Sequence, residues 1–125
     1  MSGLAGARVL VLEDEPLVAM ALEDMLLALG CVVIGPATRV AQALELVEAE
    51  PIDAAVLDVN INSGRSFAVA DVLRGRGIPY LYATGYGEYG VAERAETVPV
   101  IQKPYRQDDI AAGLAALIDT ATAPR

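Results

Sequence analysis

Five short apolar runs, each followed by residues with helical spacing or by turn-forming residues, constrain this chain more than any other feature. The runs are Arg8 to Leu12, Cys31 to Ile34, Ala54 to Leu57, Pro79 to Ala83 and Val98 to Ile101, and they read as strands. Between and after them, apolar residues recur at helical steps. Val18, Leu22, Met25, Leu26 and Leu29 share one face, as do Val40, Leu44 and Val47, then Phe67, Ala70 and Leu73, and finally Ile110, Leu114, Leu117 and Ile118. Pro16 suits a first helical position, where its missing N–H would have no partner anyway, and Gly30 suits a helix exit. Gly113 weakens the last helix by about 1 kcal/mol relative to Ala. A further helix over Glu88 to Glu96 is the poorest of the five, because it contains Gly90 and has only a thin apolar stripe. Strands alternating with helices predict a parallel sheet covered on both faces, and strands almost unbroken in apolar residues fit burial on both sides.

In such a sheet the functional crevice opens at the carboxyl ends of the strands. There the first strand runs into Glu13, Asp14 and Glu15, the third into Asp58, Val59 and Asn60, the fourth into Thr84 and Gly85, and the fifth into Lys103 and Pro104. Two carboxylates about 4 Å apart repel by ~4 kcal/mol at an effective dielectric near ~20, so Asp14 and Asp58 need a proton or a cation between them. A hard divalent ion such as Mg²⁺ suits them, since it takes carboxylate, water and phosphate oxygens. Lys103 and Thr84 then offer positive charge and a donor to the oxygens of a transferring phosphoryl group. Asp58 offers a nucleophile, because Asp carboxylates form aspartyl phosphates. Each residue also has a plainer reading. Asp58 could cap a turn, Glu13 to Glu15 could complement the dipole of the helix that Pro16 opens, Thr84 could serve the strand end, and Lys103 could be a solvated charge. Their coincidence at four strand ends favours the chemistry. Tyr80, Tyr82, Tyr86, Tyr89 and Tyr105 read as packing or partner-surface residues, and Cys31 as a small buried hydrophobe. Arg65 either steers an incoming phosphoryl group or is a solvated loop charge.

The segments VLVLEDEPLV, AAVLDVN, YATG and QKPY, in this order and spacing, resemble the receiver domain of bacterial response regulators over about Arg8 to Leu117. The resemblance implies a flavodoxin-like α/β fold with a five-stranded parallel sheet in the order 2-1-3-4-5 flanked by five helices. It implies that Asp58 is the phosphoacceptor, charged by a histidine kinase or a histidine phosphotransfer protein with Mg²⁺ as cofactor. Asp14 and Asp58 would be metal ligands, Glu13 a water-mediated neighbour, and the carbonyl of Asn60 would complete the protein's share of the shell. Thr84 and Lys103 would hold the phosphoryl oxygens, and the Lys103–Pro104 bond is often cis in the family. The run Tyr82-Ala83-Thr84-Gly85-Tyr86-Gly87, followed by Gln102-Lys103-Pro104-Tyr105, resembles the single-domain subgroup with an F-A-T-G-U-Y motif. Tyr82 replaces its phenylalanine and Gly87 its final aromatic. The family's usual aromatic residue three positions before the lysine is Val100 here, so the common tyrosine switch is missing. The signal is expected to pass through Thr84 and the segment Gly85 to Gly90.

Composition narrows the partners. A chain of 125 residues is read as one domain over 1–125, with a core of about 8–119 and a frayed tail over 120–125, leaving no room for a fused output domain. Nine Lys and Arg against seventeen Asp and Glu give a net charge of −8, which repels nucleic acid and anionic membranes. No run approaches the ~20 apolar residues of a membrane span, and MSGLAGAR is too short and polar for a signal peptide, so a cytoplasmic location is expected. One Cys and no His exclude internal disulfides and the usual zinc sets. A dinucleotide fold would need a glycine-rich turn where Glu13-Asp14-Glu15-Pro16 stands. A phosphatase resembling the haloacid dehalogenase family would need an Asp where Asn60 stands. The reading that remains is a two-component response regulator that switches protein contacts. It is not an enzyme beyond its own phosphorylation and slow dephosphorylation, and it is a monomer or an activation-dependent dimer. Its partner face is expected at the final helix and Gly85 to Val100. The alternative is a receiver-like interaction module that works without phosphate.

Overall fold

Side chains along a strand point alternately to opposite faces, so a strand apolar at every position needs cover on both sides. That requirement is met in the computed structural model of the chain, which describes residues 4–61, 64–85 and 98–122. Its elements are β1 (Arg8–Leu12), α1 (Pro16–Ala28), β2 (Val32–Ala37), α2 (Val40–Ala49), β3 (Ala54–Asp58), β4 (Asn60–Ile61), β5 (Gly64–Arg65), α3 (Phe67–Gly75), β6 (Tyr80–Thr84), β7 (Val100–Gln102) and α4 (Gln107–Thr122). The main sheet is parallel in the order β2-β1-β3-β6-β7, which is 2-1-3-4-5 for the five long strands. A two-stranded antiparallel ribbon, β4 with β5, lies between β3 and α3.

The two faces carry separate cores with period-two alternation. Leu10, Leu12, Ala55, Leu57, Tyr80 and Tyr82 face α2 and α3, whereas Val9, Val11, Ala54, Val56, Leu81 and Ala83 face α1 and α4. Tyr82 is fully buried and makes edge-to-face contacts with Phe67 and Tyr80, with ring centroids 5.7 and 5.6 Å apart. The packing role read for Tyr80 and Tyr82 is therefore met, as is the burial of Cys31. Four helices are present among the described residues. The weak helix expected over Glu88 to Glu96 lies outside them, as do Tyr86, Tyr89 and the segment past Gly85 expected to carry the signal.

Helix ends follow the sequence cues. Pro16 is the first residue of α1. Gly30, at φ +86°, closes the helix with two hydrogen bonds: its own N–H donates to the Leu27 carbonyl and the Cys31 N–H to that of Leu26. Some strand and helix boundaries differ. β2 runs on through Gly35 and Pro36 to Ala37, where Gly and Pro had marked a stop. The register passes from Leu10 opposite Ile34 to Leu12 opposite Ala37, so one extra β2 residue bulges out. An edge strand tolerates both the bulge and the proline, because its outer N–H groups pair with nothing in the sheet. β7 starts at Val100, later than expected, and α4 continues through Thr122, into the expected tail.

Gly35 shows why the bulge needs its residue type. Its φ is +101°, and a Cβ there would lie 2.6 Å from the Ala37 nitrogen and 3.1 Å from the Val11 oxygen. Gly35→Ala is expected to destabilise the fold by about 2–4 kcal/mol, combining positive-φ strain with a backbone clash. Gly77→Ala, at φ +72° with open space around its Cβ, carries the φ strain alone and is expected to cost about 1 kcal/mol. Urea unfolding of both variants checks the ranking.

Candidate functional site

A parallel sheet brings all its carboxyl strand ends to one edge, and the backbone ladder continues past them. The Glu13 N–H donates to the Ala37 carbonyl at 2.9 Å, so the β2 bulge keeps the residue after β1 in line. Asp58 pairs with Ala83 in register, and the Val59 N–H donates to the Ala83 carbonyl at 2.9 Å. The Lys103 N–H donates to the Thr84 carbonyl, also at 2.9 Å. Glu13, Asp58, Thr84 and Lys103 are therefore anchored by main-chain bonds on neighbouring strands. Asn60 begins β4, two residues past Asp58.

The side chains converge. Glu13, Asp14 and Asp58 offer carboxylate oxygens that all lie within 4.8 Å of one another. Lys103 Nζ donates to Glu13 Oε1 at 3.0 Å and to Asp58 Oδ2 at 3.3 Å, and lies 3.7 Å from Glu15 Oε1. Glu13 is fully buried and Asp58 is 3% exposed, whereas Asp14 is half-buried. The Tyr105 hydroxyl donates to Glu13 Oε1 at 3.0 Å, and the Glu15 N–H donates to Glu13 Oε2 at 3.3 Å. A single ammonium thus serves a cluster in which carboxylates outnumber it.

Burial pushes the Asp58 carboxyl up to about 7, the nearby Glu13 charge adds to the rise, and Lys103 opposes it. For Lys103, burial alone would lower the ammonium's pKa, but the hydrogen bond it donates to Glu13 and the charges of Asp58 and Glu13 outweigh burial and raise it. Burial and the Glu13 charge hold the Tyr105 phenol far above its usual range, so it acts as a hydrogen donor. The donor set around the cluster is oxygen only, since Cys31 sits at the opposite end of the sheet and the chain has no His. An excess of buried carboxylate charge with hard ligands fits a hard divalent cation.

Of the residues singled out in the sequence, Glu13, Asp14, Asp58 and Lys103 meet in one cluster. Thr84 is buried at the end of β6, one residue beyond the partner of Asp58. Arg65 is exposed in β5, with its guanidinium 5.8 Å from the Phe67 ring centroid. The Lys103–Pro104 peptide bond is cis. Sequence reasoning gave Tyr105 no part in the site. It packs in the core, as expected, but its hydroxyl also reaches the acidic cluster. The available signal was its position, two residues after the lysine and at the mouth of the crevice.

Comparison with known proteins settles the family. Residues 9–115 match the response regulator receiver domain family. The chain belongs to that family. Its receiver domain is 33% identical over 108 residues to the phyllosphere-induced regulator PhyR of Methylorubrum extorquens, covering 83% of this chain and 40% of PhyR. The chain thus spans less than half the length of that curated relative. It is also similar to the BeF₃-activated conformation of SdrG from Pseudomonas melonis Fr1, with 46% identity and a TM-score of 0.77 over 91% of this chain and 98% of SdrG. A third relative is the receiver domain of a sensor histidine kinase from Pseudomonas aeruginosa PAO1, solved with a magnesium ion in its active-site cleft. It is 25% identical with a TM-score of 0.80, over 91% of this chain and 98% of that one. The receiver domain is a signalling unit of two-component systems, which deal with kinases or phosphotransfer proteins upstream and targets downstream. No described helix is long and apolar enough to cross a membrane.

The raised Asp58 pKa has a consequence for stability. An unfolded Asp titrates near ~3.9, so between about pH 4 and pH 7 the folded receiver binds the extra proton. The stabilisation from that proton is present at low pH and is lost as pH rises through about 7. Asp58→Asn, neutral at every pH, should gain on the wild type by about 1–3 kcal/mol between pH 5 and pH 8, after discounting for solvent screening. Urea unfolding in a chelator at the two pH values checks this; a gap independent of pH would contradict it.

Proposed function

We propose that Asp58 accepts a phosphoryl group from a phosphohistidine and that the chain is a phosphorylation-dependent switch with no substrate but itself. The observation that carries this reading is the buried Asp58 carboxylate 3.3 Å from the Lys103 ammonium, within an acidic cluster that lacks enough positive charge. Asp58 attacks the phosphorus, a P–O bond forms as the P–N bond breaks, and the imidazole nitrogen of the donor keeps the electron pair. The product is an acyl phosphate on Asp58.

The residues divide the work. Asp14 and Asp58, with the Asn60 carbonyl and Glu13 through water, would hold Mg²⁺ at the acidic cluster. When bound, that ion supplies Lewis-acid stabilisation of the charge on the phosphoryl oxygens. Lys103, already at Asp58, would follow the negative charge onto those oxygens, and Thr84 would donate a hydroxyl hydrogen to them. The magnesium-bound and BeF₃-activated relatives support both parts of this assignment.

The same reading extends to the rest of the molecule. The domain comprises 1–125, with its core over about 8–119. Its upstream partner is a histidine kinase or histidine phosphotransfer protein, and its downstream partner is another protein. A net charge of −8 argues against nucleic acid and membrane surfaces, and the location proposed for the protein, with its kinase, is the cytoplasm. The protein works as a monomer or as a dimer formed on activation, with α4 and the segment from Gly85 to Val100 as its contact face.

Intact mass after incubation with acetyl phosphate tests the core of the proposal. One added phosphoryl group is expected with Mg²⁺, and none in a chelator or in Asp58→Ala. If neither acetyl phosphate nor a phosphorylated kinase yields an adduct, and beryllofluoride does not bind, the interaction module that works without phosphate is the better reading.

A further inference from the structure

Tyr105 carries a hydroxyl that packing does not require. Its ring belongs to the buried core cluster that also holds Val11, Ile101 and Ile110, on the face covered by α1 and α4, and a phenylalanine would fill the same space. A buried phenol hydroxyl needs a partner. Here the partner is Glu13 Oε1, at 3.0 Å, the same oxygen that accepts from Lys103. Glu13 is fully buried and closer to Lys103 than Asp58 is, at 3.0 against 3.3 Å. Left with fewer donors, a buried carboxylate would draw the ammonium further from Asp58, because its charge has no water to share.

We propose that Tyr105 is a positioning residue: its hydroxyl takes up part of the Glu13 charge and so keeps Lys103 divided between Glu13 and Asp58, within reach of the phosphoryl group. The inference rests on the reading of Asp58 as phosphoacceptor. The Lys103 ammonium also lies 6.0 Å from the Tyr105 ring centroid, and Tyr105→Phe retains that ring and its packing while removing only the hydroxyl.

Two measurements on the full chain separate positioning from packing. The first is the Mg²⁺ dissociation constant by calorimetry without any phosphodonor. The second is the rate constant for phosphorylation by acetyl phosphate at saturating Mg²⁺, read by intact mass. In Tyr105→Phe, Glu13 has lost a donor and seeks a cation, so Mg²⁺ should bind about threefold more tightly. Lys103 is held back by Glu13, so the rate constant should fall about fivefold. Tyr105→Leu should move both quantities the same way, because the hydroxyl and not the ring matters. A merely structural role would weaken binding and rate together. The proposal is overturned if in Tyr105→Phe either quantity stays within about twofold of the wild type or moves the opposite way. A wild type that gains no phosphoryl group overturns the phosphoacceptor reading and this inference with it; a competent wild type with indifferent variants overturns the inference alone.

Discussion

Lys103 brings one positive charge to a place where Glu13 and Asp58 both bond it and Glu15 lies 3.7 Å away. At an effective dielectric of about 20, unit charges about 4 Å apart interact by ~4 kcal/mol, so each attraction to the ammonium is matched by a repulsion between carboxylates. The cluster is left with surplus negative charge in partly desolvated surroundings: burial raises the Asp58 pKa, and the Glu13 charge adds to the rise. On the proposed function, a divalent cation would relieve that surplus, and a phosphoryl group would give Lys103 a new anionic partner.

The fold holds this unfavourable cluster in place by spending ordinary packing elsewhere. Each face of the sheet has its own core, and a fully buried Leu or Val contributes about 1.5–3 kcal/mol. Gly113 shows how closely the helices must approach. It weakens α4 by propensity, yet a Cβ there would lie 3.0 Å from Leu81 Cδ2 and 3.3 Å from Ile101 Cδ1. The glycine lets α4 sit against β6 and β7, just before Lys103 leaves the sheet. Keeping strained charge at a site and compensating for it in the core is the usual relation between function and stability.

Much of this was legible in the sequence because it depends on local pattern. Strand alternation, Pro16 at the start of α1 and Gly30 at its end are short-range signals, and the four strand ends could be inspected one by one. The sheet order came from family resemblance, since pairing across long loops leaves no periodic trace. The β2 bulge was missed because Gly35 and Pro36 look like a terminator unless it is known that β2 lies at the edge. Tyr105 was missed for a related reason: its position two residues after Lys103 puts it near the site, but its hydroxyl meets Glu13 across 92 residues of sequence, a contact that only the folded chain brings about. Val100, in place of the family's usual aromatic, lies opposite the buried Tyr82 of β6 in the sheet register.

Lys103 is the resident cation of this carboxylate cluster, and on the proposed function Mg²⁺ would be the second. Calorimetric titration of Mg²⁺ into the wild type and Lys103→Met probes that arrangement, because the variant removes the competing charge and leaves the carboxylates. Mg²⁺ is expected to bind about tenfold more tightly to Lys103→Met. Unchanged or weaker binding would mean that Lys103 does not compete with the cation for these carboxylates, and would overturn its role as the resident cation.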